Sequence, residues 1–158
     1  MVQIADRLKL SSIHINFSTK PEWDLMGEMS FLLRQGQQFH WENNGYATFD
    51  DFLASLSSRK RKNIKKERAK VTNLGLDIRA LTGNEITEGH WDAFYEFYRD
   101  TSDRKWGSAY LSRPFFSMLG ERCKDSVVLI YAEADGLPVA GALNLTGSDT
   151  LFGRNWGC

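Results

Sequence analysis

The chain has 158 residues, of which 42% are hydrophobic and 13% aromatic, and its 20 basic and 20 acidic residues give a net charge of zero. This composition supports a packed core and excludes an intrinsically disordered chain. The sequence has no apolar run long enough for a membrane-spanning helix. The two cysteines and three histidines follow no metal-binding pattern and the N-terminus has no secretion signal, so we expect a reduced, cytoplasmic protein without a metal.

The first part of the chain predicts short elements. Residues 2–9 favour a short helix, and apolar residues that alternate with polar ones over 13–17 indicate a half-buried strand. A proline predicts the start of a helix over 21–27. Residues 31–34 and 37–41 are typical of a β-hairpin with a glycine at its turn.

A long helical pattern follows from Thr48 to Gly75. Thr48 and Asp51 resemble a capping box, and the pattern has room for a break near Ser57 and Ser58. Gly75 suits the left-handed position that ends many helices.

The remainder predicts an antiparallel meander behind two or three helices. We expect helices over 90–101 and 113–122, and strands over 76–81, 127–134, 139–145 and 151–156. The first of these helices is aromatic, with Trp91, Phe94, Tyr95 and Tyr98 on one broad face. The fold class is therefore α/β in the α+β sense, with a curved sheet.

The most informative segment is 57–71, which holds eight basic residues against one acid, Glu67. Because the whole chain is neutral, the positive charge is concentrated here, and concentration creates a local potential that favours an anionic partner. Rows of like charge along a helix repel by only a few tenths of a kcal/mol per pair, so a solvated charged face explains the segment equally well.

On one continuous helical wheel, six apolar residues form a stripe that we expect to face the core: Phe49, Leu53, Leu56, Ile64, Val71 and Leu74. Lys60 and Glu67 project onto this stripe. Burial of an unpaired charge is costly, so both predict either a cleft with partners or a position at the edge of the core. Arg61, Lys65 and Arg68 form one outward-facing row, and Lys62 lies in a second row with Lys66 and Lys70.

Two further places carry candidate binding residues. Arg104 and Trp106 lie in a loop after the aromatic helix, where a guanidinium beside an indole can bind an anion or anchor the loop. Arg154 and Trp156 share one face of the last strand if its alternation is regular, together with Thr150 and Phe152. The sequence contains no nucleophile elbow, Walker loop or dinucleotide fingerprint, so it identifies no catalytic residue.

Four stretches carry a resemblance to a known family: SSIHINF, QFHWENNGYATFDDFLASLSSRKRKNIKKERAKV, FYRDTSDRKWGSAYLSRPFF and LFGRNWGC. They resemble the bacterial FemAB-like family, described as peptidoglycan biosynthesis/recognition proteins. The resemblance covers nearly the whole chain, and its basic segment is long and specific.

The resemblance implies a GNAT-like acyltransferase fold with a mixed sheet, in a protein of two lobes. Residues 1–47 would end a first lobe and 48–158 would begin a second, within a chain that is incomplete as given. It also implies transfer of an acyl or aminoacyl group to an amine in cell-wall metabolism. The partners would be an anionic small molecule, a cell-wall precursor or a tRNA, with acyl-CoA or aminoacyl-tRNA as the donor.

The residues proposed to bind the substrate are Lys60, Arg61, Lys62, Glu67, Arg104, Trp106, Arg154 and Trp156. Two alternatives stay open. The first is a coenzyme A-dependent GNAT N-acyltransferase, although the loop that cradles the pyrophosphate in that fold would lie beyond Cys158. The second is a non-catalytic RNA- or glycan-binding module; it is less favoured because the aromatic residues have the spacing of a core rather than of a base-stacking surface.

Overall fold

The structure is a computed structural model that describes residues 2–104 and 107–158. The packing of the backbone divides the chain into two compact units, Met1–Tyr46 and Ala47–Cys158. Whether these units correspond to two GNAT-like lobes, with a boundary at 47/48, stays a prediction.

The first unit contains two helices, α1 (Val2–Arg7) and α2 (Lys20–Glu28), as the sequence predicts. A capping box between Thr19 and Glu22 and a proline in the first turn begin α2. The predicted strand over 13–17 and hairpin over 31–41 are wrong, since no strand occurs among the described residues of this unit. Apolar alternation yields a strand only where a neighbouring strand pairs with it, and an isolated hairpin is marginal in water.

The second unit opens with a helical hairpin of α3 (Phe49–Ser55) and α4 (Ser58–Asn73). The predicted break is confirmed, because Leu56 has an extended backbone and Ser57 is the N-cap of the next helix. Gly75 follows α4 with φ +66°, the left-handed conformation that the sequence predicts there.

Two further helices pack together, α5 (Glu88–Asp103) and α6 (Arg113–Arg122). Thr87 caps α5 by accepting a hydrogen bond from the backbone N–H of His90, and α6 carries a proline in its first turn. Short 3₁₀ turns precede α5 and follow α6, at Gly83–Glu85 and Lys124–Ser126.

The sheet of this unit has four strands in the order β1 (Asp77–Thr82), β2 (Val127–Ala134), β3 (Leu137–Thr146) and β4 (Leu151–Gly157). The α+β class and the meander are confirmed, and the arrangement is compatible with a GNAT-like fold. Each neighbouring pair among these four strands is antiparallel, so the parallel pairing of a mixed sheet is not found among the described strands.

Aromatic side chains from α5 and α6 form the core on one face of the sheet. Trp91, Phe94 and Tyr98 of α5 surround Phe116 of α6, with ring centroids 5.6–6.0 Å from that of Phe116. All four are buried together with sheet residues such as Leu129. The predicted aromatic face of this helix is therefore confirmed, and its spacing reflects packing.

A polar network fastens α5 to α6 at the rim of this core. The Arg113 guanidinium donates to Asp92 and Glu88 carboxylates at 2.7 Å, and the Ser117 hydroxyl donates to Glu88 at 2.7 Å. These hydrogen bonds, from Ser117 first and then Arg113, hold the pKa of the Glu88 carboxyl below its usual range.

Gly157 lies where β4 passes closest to α5, and we predict that it tolerates no side chain. A Cβ there would lie 2.4 Å from the Phe97 carbonyl oxygen, which is backbone and cannot move aside. Gly157→Ala should lower the free energy of unfolding by about 1–3 kcal/mol, as overpacking does. Urea denaturation followed by circular dichroism measures this change.

Gly153→Ala is the matched control on the same strand, because its Cβ would meet Asn144 at an ordinary 3.7 Å. Its stability should stay within about 0.5 kcal/mol of the wild type. Equal loss in both variants would contradict the close approach of β4 to α5.

The lowered pKa of Glu88 predicts a pH-dependent contribution to stability. Because the folded chain holds this carboxylate at a pKa below its unfolded value, the stabilisation is present at pH values above the ordinary pKa of a glutamate carboxyl and is lost as pH falls through the folded pKa. Glu88→Gln should therefore flatten the fall of Tm in acid. Glu121→Gln, at an exposed position of α6, should leave the slope unchanged; a Glu88→Gln profile parallel to that of the wild type would argue against the network.

Candidate functional site

Arg61 joins the two helices of the basic hairpin. Its Nε donates to the Leu53 carbonyl oxygen at 2.8 Å, and its Nη2 donates to those of Ala54 and Leu56 at 3.1 and 3.0 Å. These carbonyls lie at the C-terminal end of α3, where helix carbonyls run short of N–H partners. The Leu53 carbonyl also accepts a hydrogen bond from the Leu56 N–H at 3.2 Å. Arg61 is thus a helix cap whose guanidinium is engaged within the chain, and the prediction that it faces outward is wrong.

Lys65 and Arg68 also face α3. The Lys65 ammonium lies 3.8 Å from the Asp50 carboxylate, and the Arg68 guanidinium lies 4.4 Å from the centre of the Phe49 ring. Together with Thr48 and Leu53 these side chains line a groove of about 360 Å³ between the two helices. Hydrogen bonds from Thr48 hold the pKa of neighbouring Asp51 below its usual range, so negative charge persists at the start of α3.

Lys60 and Glu67 do not lie in a cleft, so that expectation is wrong. Both side chains are exposed, and neither makes a hydrogen bond or ion pair with the part of the chain that the structure describes. Neither lines the groove between α3 and α4. Their exposure removes the desolvation cost from which a cleft was inferred.

The prediction of one apolar stripe facing the core is also wrong. Its six residues belong to two helices with different directions, because the chain turns between α3 and α4. Leu53 is buried, but Val71 is 42% exposed and Leu74 is 69% exposed. No residue of α4 is buried.

Arg154 lies at an irregularity in the last strand. Leu143 pairs with Asn155 and the next residue, Asn144, pairs with Gly153, so Arg154 has no opposite residue and forms a β-bulge. The Arg154 guanidinium donates to the Tyr110 hydroxyl. The Tyr110 ring packs edge-on against Tyr98 of α5, which places this contact on the helix-covered side of the sheet.

The bulge separates Arg154 from Trp156. Trp156 pairs with Ala142, whose neighbour Leu143 points into the core, so the indole lies on the opposite face and is 62% exposed. Phe152 pairs with Leu145, which packs against the core. The expected single face with Arg154, Trp156 and Phe152 is therefore wrong, because one extra residue reverses the alternation.

Arg104 caps the end of α5 and reaches the end of β4. Its guanidinium pairs with Asp100 and donates to the Cys158 carbonyl oxygen at 2.8 Å. These contacts tie a helix to a strand, which corresponds to the anchoring alternative. Trp106, its predicted partner, lies outside the described residues.

Among the predicted binding residues, the structure thus distinguishes two groups. Arg61, Arg104 and Arg154 make contacts within the chain, whereas Lys60, Lys62 and Glu67 are exposed on α4. Whether any of them binds a substrate stays a prediction. In residues 2–104 and 107–158, no cluster of metal-binding side chains occurs and no helix is long and apolar enough to cross a bilayer.

Sequence reasoning missed the partners of these cations. Tyr110 is separated from Arg154 by 44 residues, and no local pattern links them. The partners Phe49 and Asp50 could have been predicted from the sequence. If the chain reverses at Ser57, an antiparallel hairpin brings the start of α3 beside the middle of α4.

Comparison with family models shows the family to which the chain belongs. The model of the FemAB-like family, described as peptidoglycan biosynthesis/recognition, matches residues 1–158. The chain belongs to the FemAB-like family. A search of curated proteins found no match to this FemAB-like chain.

We predict that removing the Arg61 cap destabilises the hairpin. Arg61→Ala leaves the carbonyls at the end of α3 without their charged donor, which should lower the free energy of unfolding by about 2 kcal/mol. Chemical denaturation monitored by circular dichroism measures the loss. Lys62→Ala, the adjacent exposed cation, is the control and should change stability by less than about 0.5 kcal/mol; similar losses in both variants would exclude the capping role.

Proposed function

We propose that this FemAB-like chain takes part in transfer of an acyl or aminoacyl group to an amine of a peptidoglycan precursor. The observation that carries the proposal is the match of the family model over residues 1–158, because that family is described by peptidoglycan biosynthesis and recognition. A nucleotide-linked precursor is a polyanion with a free amine, and cationic side chains suit its phosphates.

Such a transfer runs largely on positioning. The amine nitrogen attacks the carbonyl carbon of an activated ester, a tetrahedral oxyanion forms, and the leaving oxygen or sulfur takes the proton that the amine loses. Donors aimed at the oxyanion lower the barrier. The reaction therefore needs no Ser-His-Asp triad, in keeping with the sequence.

The proposal assigns Arg154 to the anionic part of the substrate or to the developing oxyanion. Its guanidinium stands at a bulge on the last strand of the described sheet and contacts the Tyr110 hydroxyl, and Tyr110 is 69% exposed. Bulges near sheet edges often redirect a side chain toward a site. Lys60, exposed and without an acidic partner in the described chain, is assigned to the phosphates.

Binding of a soluble nucleotide-linked muramyl-peptide tests the proposal. The precursor should raise Tm, and at a hundredfold excess over Kd the stabilisation would be about 2.7 kcal/mol. Arg154→Ala should weaken binding at least about tenfold, as loss of a charge-assisted hydrogen bond does. Isothermal titration calorimetry at low salt measures both affinities.

Arg99→Ala provides the control, because Arg99 is an exposed arginine whose described contact is an ion pair with Glu96 on its own helix. Its affinity should equal that of the wild type. Absence of any heat or thermal shift with the precursor would refute the proposal. Parallel titrations with an aminoacyl-tRNA mimic and with acyl-CoA identify the donor.

A further inference from the structure

The cations of α4 divide into two sets by their contacts. Arg61, Lys65 and Arg68 face α3, where a carbonyl cluster, a carboxylate and an aromatic ring receive them. The others are exposed and have no hydrogen bond or ion pair with any residue in the described ranges. This second set is free to meet a partner.

Four of the exposed cations form one straight row, which we call the outer row: Arg59, Lys62, Lys66 and Lys70. They recur at steps of three or four residues and span an arc of about 80° at 100° per residue. From first to last they cover about 16 Å of helix at 1.5 Å per residue. The outer row is therefore a strip of positive charge that a neutral chain has concentrated on one helix face.

An apolar side chain continues the row. Leu74 stands four residues after Lys70, one turn further along the same strip, and it is 69% exposed. Val71, beside it, is 42% exposed. Exposed aliphatic groups at the end of a cationic strip make no favourable contact with the phosphate backbone of a nucleic acid, but they suit the boundary between lipid headgroups and acyl chains.

The composition of the row also points away from nucleic acid. Three of its four cations are lysines, which act as point charges and do not form the two-pronged contacts with phosphates and bases that arginine makes. Helix α4, Ser58–Asn73, contains no aromatic residue on which a base could stack. A convex helix with diffuse charge fits a flat anionic surface.

We propose that α4 is a peripheral docking surface for anionic lipid bilayers, with the outer row against the headgroups and Leu74 inserted at its end. Clusters of four or more basic residues on a helix bind anionic membranes in proportion to their number. Helix α4 then lies along the bilayer surface. This docking is independent of the proposed transfer reaction.

Vesicle sedimentation tests the surface with the whole chain. The protein should sediment with vesicles of equal parts phosphatidylglycerol and phosphatidylcholine, stay in solution with pure phosphatidylcholine, and dissociate as salt rises. The variant Lys62→Ala/Lys66→Ala/Lys70→Ala should lower the partition coefficient roughly a hundredfold, from the contribution of each basic residue near the surface.

The triple variant Arg99→Ala/Arg122→Ala/Lys124→Ala is the charge-matched control, since it removes the same charge from exposed cations of the same unit that lie outside α4. It should partition within about twofold of the wild type, because these cations are not part of the proposed docking surface. An equal loss in both triple variants would overturn the proposal, because net charge alone would then govern binding.

Leu74→Gln separates a bilayer from other polyanions. It keeps every charge but should lower vesicle binding roughly tenfold, since the leucine leaves water only at a membrane. The proposal is overturned if the protein does not sediment with anionic vesicles. It is equally overturned if Leu74→Gln binds vesicles like the wild type, or if a duplex RNA hairpin displaces the vesicles at lower concentration and binds both forms equally.

Discussion

The close packing of α5 onto the last two strands is the constraint on which the second unit depends. Phe94 lies over Gly141, where an added Cβ would approach the ring to 2.8 Å, and the Phe97 carbonyl lies over Gly157. Two glycines thus remove the side chains that would hold helix and sheet apart. Because the approach is so close, the aromatic rings of α5 reach Phe116 and the strands beneath, and the core is complete without a buried polar or charged residue among those described.

Outside this core, arginine side chains connect neighbouring elements through hydrogen bonds in several places. Arg61 closes the end of α3, Arg104 ties the end of α5 to the end of β4, and Arg113 joins α5 to α6. Each contact uses the several donors of a planar guanidinium, a geometry that lysine lacks. Four of the five lysines of α4, together with Arg59, are exposed, and they make no hydrogen bond or ion pair with the described residues.

The structure of the second unit was predicted better from the sequence than that of the first, because its helices carry clear local signals and its strands have partners. The helices from Thr48 onward carry capping residues and aromatic periodicity, and the strands from Val127 to Trp156 have neighbours to pair with. The alternation over 13–17 has no pairing strand among the described residues, so a genuine period-two signal gave a false strand.

The site was harder to predict than the fold because its geometry depends on two irregularities. The reversal at Ser57 turned Arg61, Lys65 and Arg68 toward α3, and the bulge at Arg154 moved Trp156 to the other face. A helical wheel and a strand alternation both assume an unbroken period, and each failed at one residue. The contact of Arg154 with Tyr110 joins distant segments and leaves no trace in either pattern.

The bulge in β4 also sets which residues of that strand can be large. Were every residue from Gly153 onward paired in turn, Trp156 would stand opposite Gly141, under α5, where not even a methyl group fits. The extra residue moves the indole to the opposite face and delivers Gly157 to the crowded position instead. The bulge and Gly157 therefore depend on each other. The volume that α5 occupies permits the alignment of β4 with the bulge and excludes the alignment without it.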